Sequence, residues 1–125
     1  MKKILLVSMG VLLLLAPLAA QQIVVIMMGG GDGVPIQWCP GGSYTIHWRA
    51  LGSMQATVTI ALRYAGSAPD AAPALVIATG EANDEYFSWA IPFSVAPGDY
   101  FIRVRTDDAT VIGDGGTFTI GADSP

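Results

Sequence analysis

A chain of 125 residues is long enough for one domain with a single hydrophobic core. Both lysines lie within residues 1–20, so residues 21–125 carry four arginines against ten acidic residues, a net charge of −6. Such an acidic surface, without a basic tract, is unfavourable for nucleic acid and for anionic membranes. Both classes of partner are therefore excluded.

The first twenty residues have the composition of a secretory signal peptide. Lys2 and Lys3 precede an apolar run from Ile4 to Leu15, and small residues follow up to Ala20. The alternative is an uncleaved anchor, but the run is shorter than the roughly 20 apolar residues that cross a bilayer. The sequence predicts a signal peptide over 1–20 and an exported domain over 21–125 with no membrane span after cleavage, either extracellular or in the periplasm or cell envelope.

Short strands separated by turn residues follow one another along the exported part. The segments predicted as strands are 23–28, 34–38, 43–50, 56–64, 74–79, 85–91, a strand within 89–106, and 116–120. No segment after the signal peptide has the period of a helix. The pattern predicts an all-β fold, an immunoglobulin-like antiparallel β-sandwich of about seven strands.

The segment from Trp89 to Thr106 carries the strongest fold signal. Its alternation assigns Tyr100, Ile102 and Val104 to the core side and Phe101, Arg103 and Arg105 to the other side. Tyr100 opens the strand two residues after Gly98, which is typical of the tyrosine corner of Greek-key sandwiches. There the phenol hydrogen-bonds to nearby backbone.

Aromatic and sulfur side chains divide into core and undecided positions. Trp48 and Trp89 are predicted to be structural core residues together with Tyr100, because sandwich cores bury one or two tryptophans. Trp38 remains open between the core and an exposed platform for stacking on a sugar ring. Cys39 is the only cysteine, so no internal disulfide can form, and burial is favoured over an intermolecular bridge.

The arginines are the most promising polar set for binding. Placing the Arg63 strand beside the strand of Arg103 and Arg105 would bring these three side chains onto one outer face together with Phe101. Such a face can hold a carboxylated glycan or an acidic partner through bidentate bonds and stacking. The alternative is a solvated face whose charges are neutralised by acidic residues of the loops.

Metal and catalytic chemistry receive weaker support. Asp107, Asp108 and Asp114 lie in one glycine-rich region, which makes them weak calcium candidates, although the same residues suit ordinary turns. His47, the only histidine, is predicted on an outward strand face without the orienting carboxylate and nucleophile that catalysis needs. We therefore expect no enzyme activity, no resident metal and no cofactor.

The apolar segment Ile23–Met28 has two possible fates. It can fold back as the first strand of its own sheet, or it can be donated to a neighbouring copy across the glycine-rich residues 29–33. The second possibility predicts a homo-oligomer, a self-assembling surface or filament structure.

Several short motifs carry a family resemblance. They are Trp38-x2-Gly41-Gly42-Ser43-Tyr44-Thr45-Ile46-x-Trp48, Trp89-x-Ile91-Pro92, Gly98-x-Tyr100-x-Ile102-Arg103-Val104 and the closing Phe118-Thr119-Ile120. Together they resemble the N-terminal domain of the yeast cell-wall-synthesis (KRE/KNH-like) proteins, also called the Ser-Thr-rich glycosylphosphatidylinositol-anchored membrane family. The resemblance implies an immunoglobulin-like fold and an association with β-1,6-glucan assembly in fungi, and the family also occurs in secreted prokaryotic proteins.

The expected function follows from the predicted export and from this resemblance. We expect a secreted, non-catalytic binding or structural module of the cell envelope or extracellular space. Its partner would be a cell-wall glycan or an extracellular protein. The two alternatives are the self-assembling subunit with a donated N-terminal strand and a dedicated glycan-binding module.

Overall fold

Nine strands form the fold in the part of the chain that the structure describes. The computed structural model describes residues 20–26 and 37–121. Its strands are β1 (Gln22–Ile26), β2 (Gln37–Trp38), β3 (Ser43–Leu51), β4 (Thr57–Tyr64), β5 (Leu75–Ala82), β6 (Tyr86–Ala90), β7 (Gly98–Thr106), β8 (Ile112–Asp114) and β9 (Phe118–Ile120). The count exceeds seven because β1 and β2 are separate strands in different sheets, and because β8 lies in the glycine-rich stretch ahead of the predicted closing strand, which is β9.

The strands form two sheets of unequal size. The smaller sheet has the order β1-β3-β6, and the larger has the order β2-β9-β7-β4-β5 with β8 beside β7. All pairings are antiparallel except that of β2 with β9. Alternating side chains from both sheets point into a shared core. This arrangement confirms the predicted immunoglobulin-like sandwich.

The core consists of the inward positions that the alternation predicts. Fully buried apolar side chains come from both sheets, and Ile91 joins them just after β6: Ile46, Trp48, Val58, Ile60, Leu62, Ile91, Ile102, Val104, Phe118 and Ile120. Trp48 also keeps its polar edge satisfied, because its Nε1 donates to Oδ1 of Asn83 at 2.8 Å. Trp89 is buried in the same cluster, as expected from the sequence.

The tyrosine corner is present at the start of β7. The phenol of Tyr100 donates a hydrogen bond to the carbonyl oxygen of Ala96 at 2.6 Å, and the residue is 3% exposed. Burial, followed by the neighbouring phenol of Tyr64, raises the pKa of Tyr100 above its usual value. The bond ties the strand to the turn before it and thereby limits the path of the chain between β6 and β7.

The first strand completes its own sheet. β1 pairs with β3 from Gln22 to Ile26, and it buries Ile23 and Val25 in the core. Its backbone also lies directly against β8, where a Cβ atom added to Gly113 would come within 2.2 Å of the carbonyl oxygen of Ile23. The predicted fold-back of this segment is therefore the arrangement in the structure, and the donated strand is not.

Parts of the predicted N-terminal organisation lie outside the described residues. These are residues 1–19 of the predicted signal peptide, residues 27 and 28 of the first apolar run, the glycine-rich residues 29–33 and the first part of the 34–38 strand. The predicted cleavage after Ala20 would leave β1 whole, since that strand begins at Gln22. Across residues 20–26 and 37–121, no helix has the length and apolar character needed to cross a membrane.

The Gly41-Gly42 turn explains one of the sequence motifs in physical terms. Gly41 has a φ of +83°, and a Cβ atom there would come within 2.5 Å of the ring of Phe93. Tyr44 covers Gly42 in the same way and stacks on Trp38 with ring centroids 4.5 Å apart. The glycines thus allow aromatic rings to lie directly on the turn, and the motif is a packing device.

Candidate binding surfaces

The arginines lie on one face, as the sequence predicts, but most of them are already engaged. We call the outward side of β4, β7 and β8 the covered face. Antiparallel pairing places Arg63 opposite Phe101, Ala61 opposite Arg103 and Thr59 opposite Arg105. The three arginines therefore share this face with Phe101, and the question becomes which of them can reach a ligand.

Arg63 is buried and cannot serve as the predicted binding residue. Only 5% of its surface is exposed, because the chain between β4 and β5 folds over it. Its Nη2 donates to the carbonyl oxygens of Ala68 at 2.8 Å and Pro69 at 3.4 Å. Its guanidinium lies 6.0 Å from the centre of the Phe101 ring. Arg63 therefore anchors a loop, and Phe101 serves as the surface on which it packs.

Arg103 is held by a carboxylate of the same chain. Its Nε and Nη2 donate to the two carboxylate oxygens of Asp114 at 2.7 and 3.0 Å. Its Nη1 donates to the carbonyl of Pro69, and its guanidinium lies 6.0 Å from the Phe101 ring. The bond to Asp114 raises the pKa of Arg103 above its usual value. The bidentate geometry that was expected to hold a ligand is thus used internally.

Arg105 and the two aspartates that follow β7, Asp107 and Asp108, also interact with groups of the same chain. Hydrogen bonds from Thr57 and then Thr59 lower the pKa of Asp107, and the charge of the half-buried Arg105 makes a smaller contribution in the same direction. Hydrogen bonds from Thr106 and then Thr110 lower the pKa of Asp108. The covered face therefore matches the alternative reading from the sequence, a face neutralised by acidic residues of the loops.

The three calcium candidates do not converge. Asp114 is bound by Arg103, Asp107 accepts from Thr59 Oγ1 at 2.6 Å, and Asp108 accepts from Thr106 at 2.7 Å. Over residues 20–26 and 37–121, no group of three or more His, Cys, Asp or Glu side chains could hold a metal ion. These aspartates act as turn and strand partners within this part of the chain.

Trp38 and Cys39 lie in the interior at the end of β2. Trp38 is 3% exposed and packs between Tyr44 and Phe118, so the exposed stacking platform is wrong and the core assignment is right. The reason is its position: β2 pairs with β9, and that pairing turns Trp38 inward. Cys39 is 6% exposed, in line with the burial expected of a lone thiol.

The outward side of the three-stranded sheet offers the better candidate site. We call it the open face. Antiparallel pairing aligns Ile26, His47 and Tyr86 in one row across β1, β3 and β6, and it places Val24 beside Arg49 in the next row. Tyr86 is 54% exposed, and Val24 and Ile26 are each 38% exposed. Apolar, aromatic and ionisable side chains are therefore accessible together.

A shallow groove of about 300 Å³ lies within the open face, lined by Ile26, His47, Trp48, Arg49 and Glu85. Glu85, in the short connection between β5 and β6, has a φ of +77°, which is rare for a residue with a side chain. Two bonds from β3 hold it there: its carbonyl accepts from the N–H of Trp48, and its Oε2 accepts from the N–H of Ala50. The groove thus has a fixed carboxylate on one side.

Sequence reasoning did not find this site. The pattern predicts His47 on an outward strand face but does not link it with Arg49, Glu85 or Tyr86. The alternation of β3 does assign His47 and Arg49 to the same outward side, so that part of the site could have been found. The position of Glu85 depends on a backbone conformation that the residue type does not favour.

The fold and its surfaces define an immunoglobulin-like β-sandwich with one covered face and one open face. A model for the Kre9/KNH-like N-terminal Ig-like domain matches residues 34–120. The chain belongs to this family, whose members are associated with the cell wall and which is not a known catalytic family.

Other comparisons add information about the fold alone. A crystal structure of a mutant of Salmonella alpha-2-macroglobulin is similar, with a TM-score of 0.53 and 14% sequence identity. The match covers 88% of this chain but 7% of that one, so the likeness is to a small part of a much larger protein. Comparison with curated protein sequences finds no match.

Proposed function

We propose that this chain is an exported, non-catalytic module of the cell envelope that binds a cell-wall glycan through its open face. The observation that carries the proposal is the groove beside the exposed ring of Tyr86. Export is inferred from residues 1–20, and the association with the wall comes from the family. The choice of face comes from the geometry of the two sheets.

The two faces differ in how much of their chemistry is available. On the covered face, Arg63 is buried and Arg103 is paired with Asp114. On the open face, Arg49 is exposed and has no ion-pair partner within the described residues. A ligand would have to break bonds to use the covered face, whereas the open face presents its groups directly.

The open face suits a sugar ring. An exposed aromatic ring can stack on the apolar C–H side of a pyranose, as Tyr86 would. Arg49 can donate hydrogen bonds to hydroxyl groups, and the remaining oxygen of the Glu85 carboxylate can accept them. Val24 and Ile26 also make the face suitable for an extracellular protein, which is the second candidate partner. Variants of this face tested with each kind of ligand distinguish the two candidates.

A binding role fits this face better than a catalytic one. Catalysis requires a base in hydrogen-bond contact with a nucleophile or a substrate proton, and with a group that orients it. Within the described residues, no hydrogen bond joins His47 to a hydroxyl group or a carboxylate. The ionisable groups at the groove serve better as hydrogen-bonding partners for a ligand.

The test is co-sedimentation of residues 21–125 with insoluble cell-wall polysaccharide. Replacing Tyr86 or Arg49 by alanine should raise the dissociation constant about two- to tenfold, as expected for losing one stacking or charge-assisted contact. Tyr64→Ala is the matched control, because Tyr64 is also 54% exposed but lies on β4 of the other sheet. Equal binding by all variants would contradict the proposed face. No binding to any wall polysaccharide, with capture of an envelope protein that Tyr86→Ala abolishes, would favour the second candidate.

Export has its own test. The mass of the secreted or periplasmic protein should correspond to a chain that begins at Gln21. A protein that retains residues 1–20 and stays with the membrane would contradict this part of the proposal.

A further inference from the structure

The exposed edge of β6 has features that suit pairing with a second strand. Within the described strands, β6 pairs only with β3, so its other edge is unpaired. The N–H of Trp48 bonds to Glu85, and the N–H of Ile91 bonds to Gly42, so odd-numbered residues direct their backbone groups toward β3. The N–H and C=O groups of Tyr86, Ser88 and Ala90 therefore point outward.

This edge lacks the protection that the edges at β5 and β1 have. β5 is irregular where it pairs with β4, contains Gly80 at a φ of +62° and carries the charge of Glu81. β1 is blocked on its outer side by β8, where Gly113 contacts Ile23. The residues of β6 are Tyr-Phe-Ser-Trp-Ala, with no charge, no proline and no bulge. Natural sheets usually protect a free edge with a charge, a proline or a bulge.

We propose that β6 is a self-association edge, at which two copies of the chain pair antiparallel. The two-fold axis passes midway between the Ser88 residues of the two copies. In this register Ser88 faces Ser88 of the second copy, and Tyr86 faces Ala90 of the second copy. The outward backbone groups of these three residues then meet as hydrogen-bonded pairs. No other register lets all three pair in this way.

The side chains fit the same register. On the outer face the large ring of Tyr86 stands opposite the small side chain of Ala90 of the second copy. On the inner side the half-buried Phe87 stands opposite Trp89 of the second copy, which extends the apolar core across the junction. β6 carries no charge, and in this register the acidic residues that precede it, Asp84 and Glu85, lie at opposite ends of the paired strands in the two copies. A second copy is therefore favoured over a charged peptide as the occupant.

Pairing at this edge would join the two small sheets into one six-stranded sheet. Both open faces would then lie on the same side, which would present two grooves to a repeating polymer. The interface is small, so the dimer should be weak and reversible. The inference does not rest on the proposed function, because self-association is measured without any ligand.

The experiment is sedimentation velocity of residues 21–125 over a range of concentrations. We expect a reversible monomer–dimer equilibrium that Ser88→Pro weakens at least about tenfold, because the outward N–H at the centre is lost. Proline is tolerated on an edge strand when that N–H faces solvent, so the monomer should stay folded.

A second variant and a control keep the test decisive. Ser88→Lys places like charges opposite each other at the two-fold axis and should also weaken the dimer. Val76→Lys adds the same charge on the other edge strand, β5, and should leave the dimer unchanged. A protein that stays monomeric up to about 1 mM would overturn the proposal. So would a dimer that survives both changes at Ser88, since that would indicate another interface, such as exchange of β1.

Discussion

Replacement of Gly113 by alanine tests whether β1 is packed against β8 as the structure shows. The added Cβ atom would lie 2.2 Å from the carbonyl oxygen of Ile23 and 2.8 Å from its Cγ2 atom. Ordinary contact begins near 3.4 Å, so the two strands have to separate by about 1.2 Å. The change is small in volume but lies at a point where two backbones meet, and neither can rotate away as a side chain can.

The cost can be bounded from both sides. Overpacking of a filled site costs about 1–3 kcal/mol. Complete release of β1 would forfeit the burial of Ile23 and Val25, roughly 3–6 kcal/mol. Partial adjustment is cheaper than release, so we expect a loss of about 1–3 kcal/mol in the free energy of unfolding. At roughly 4 °C per kcal/mol for a domain of this size, the melting temperature should fall by about 4–12 °C.

The assay is urea and thermal unfolding of residues 21–125, followed by circular dichroism. Gly116→Ala is the matched control, because a Cβ atom there meets nothing within 4 Å and Gly116 has no positive φ. Faster amide hydrogen exchange across Gln22–Ile26 in the Gly113 variant would locate the damage at β1. If Gly113→Ala proves as stable as Gly116→Ala, the packing of β1 against β8 is not as described.

Three further predictions concern the rest of the sandwich. Tyr100→Phe should cost about 0.5–1.5 kcal/mol, because the hydrogen bond to the carbonyl of Ala96 is lost, and Tyr86→Phe should cost nothing measurable. Since the pKa of Tyr100 is raised in the folded state, its contribution is complete below pH 10 and is lost as the pH rises through the folded-state value. The phenylalanine variant should lose this alkaline dependence in unfolding titrations. In a double-mutant cycle, Arg103→Ala and Asp114→Ala should show a coupling of about 0.5–1 kcal/mol that decreases in 1 M salt; a coupling of zero would mean that the pair is not formed in solution. Cys39 should react with a thiol reagent only as fast as the protein unfolds, because it is 6% exposed, and rapid labelling of the native protein would contradict its burial.

The fold was largely readable from the sequence because each strand buries one side. Strict alternation from Tyr100 to Val104 identified the inward positions, and all three of those residues are buried. The spacing of Gly98 and Tyr100 predicts the corner, because the turn and the hydrogen bond of the tyrosine lie within a few residues of each other in the sequence. The sequence does not predict β8, because Ile112–Asp114 is too short to show a period and lies within a glycine-rich stretch.

The binding surfaces were less predictable because they depend on what covers them. Alternation correctly placed Arg63, Phe101 and Arg103 on one outward face. It could not show that the loop at Ala68 and Pro69 folds over Arg63, or that Asp114 meets Arg103 across the pairing of β7 with β8. The sequence alone leaves Trp38 open between the core and an exposed stacking platform. Its burial follows from pairing with β9, which is distant in sequence.

The parallel pairing of β2 with β9 has a mechanical consequence. Gln37 lies beside Thr119, Trp38 lies beside Ile120, and the N–H of Gly121 donates to the carbonyl of Trp38 at 2.8 Å. Tension that enters ahead of β2 and leaves after β9 pulls these strands in opposite directions along their length. Their hydrogen bonds are then loaded together in shear and do not open one after another, so this short pair resists tension better than its length suggests.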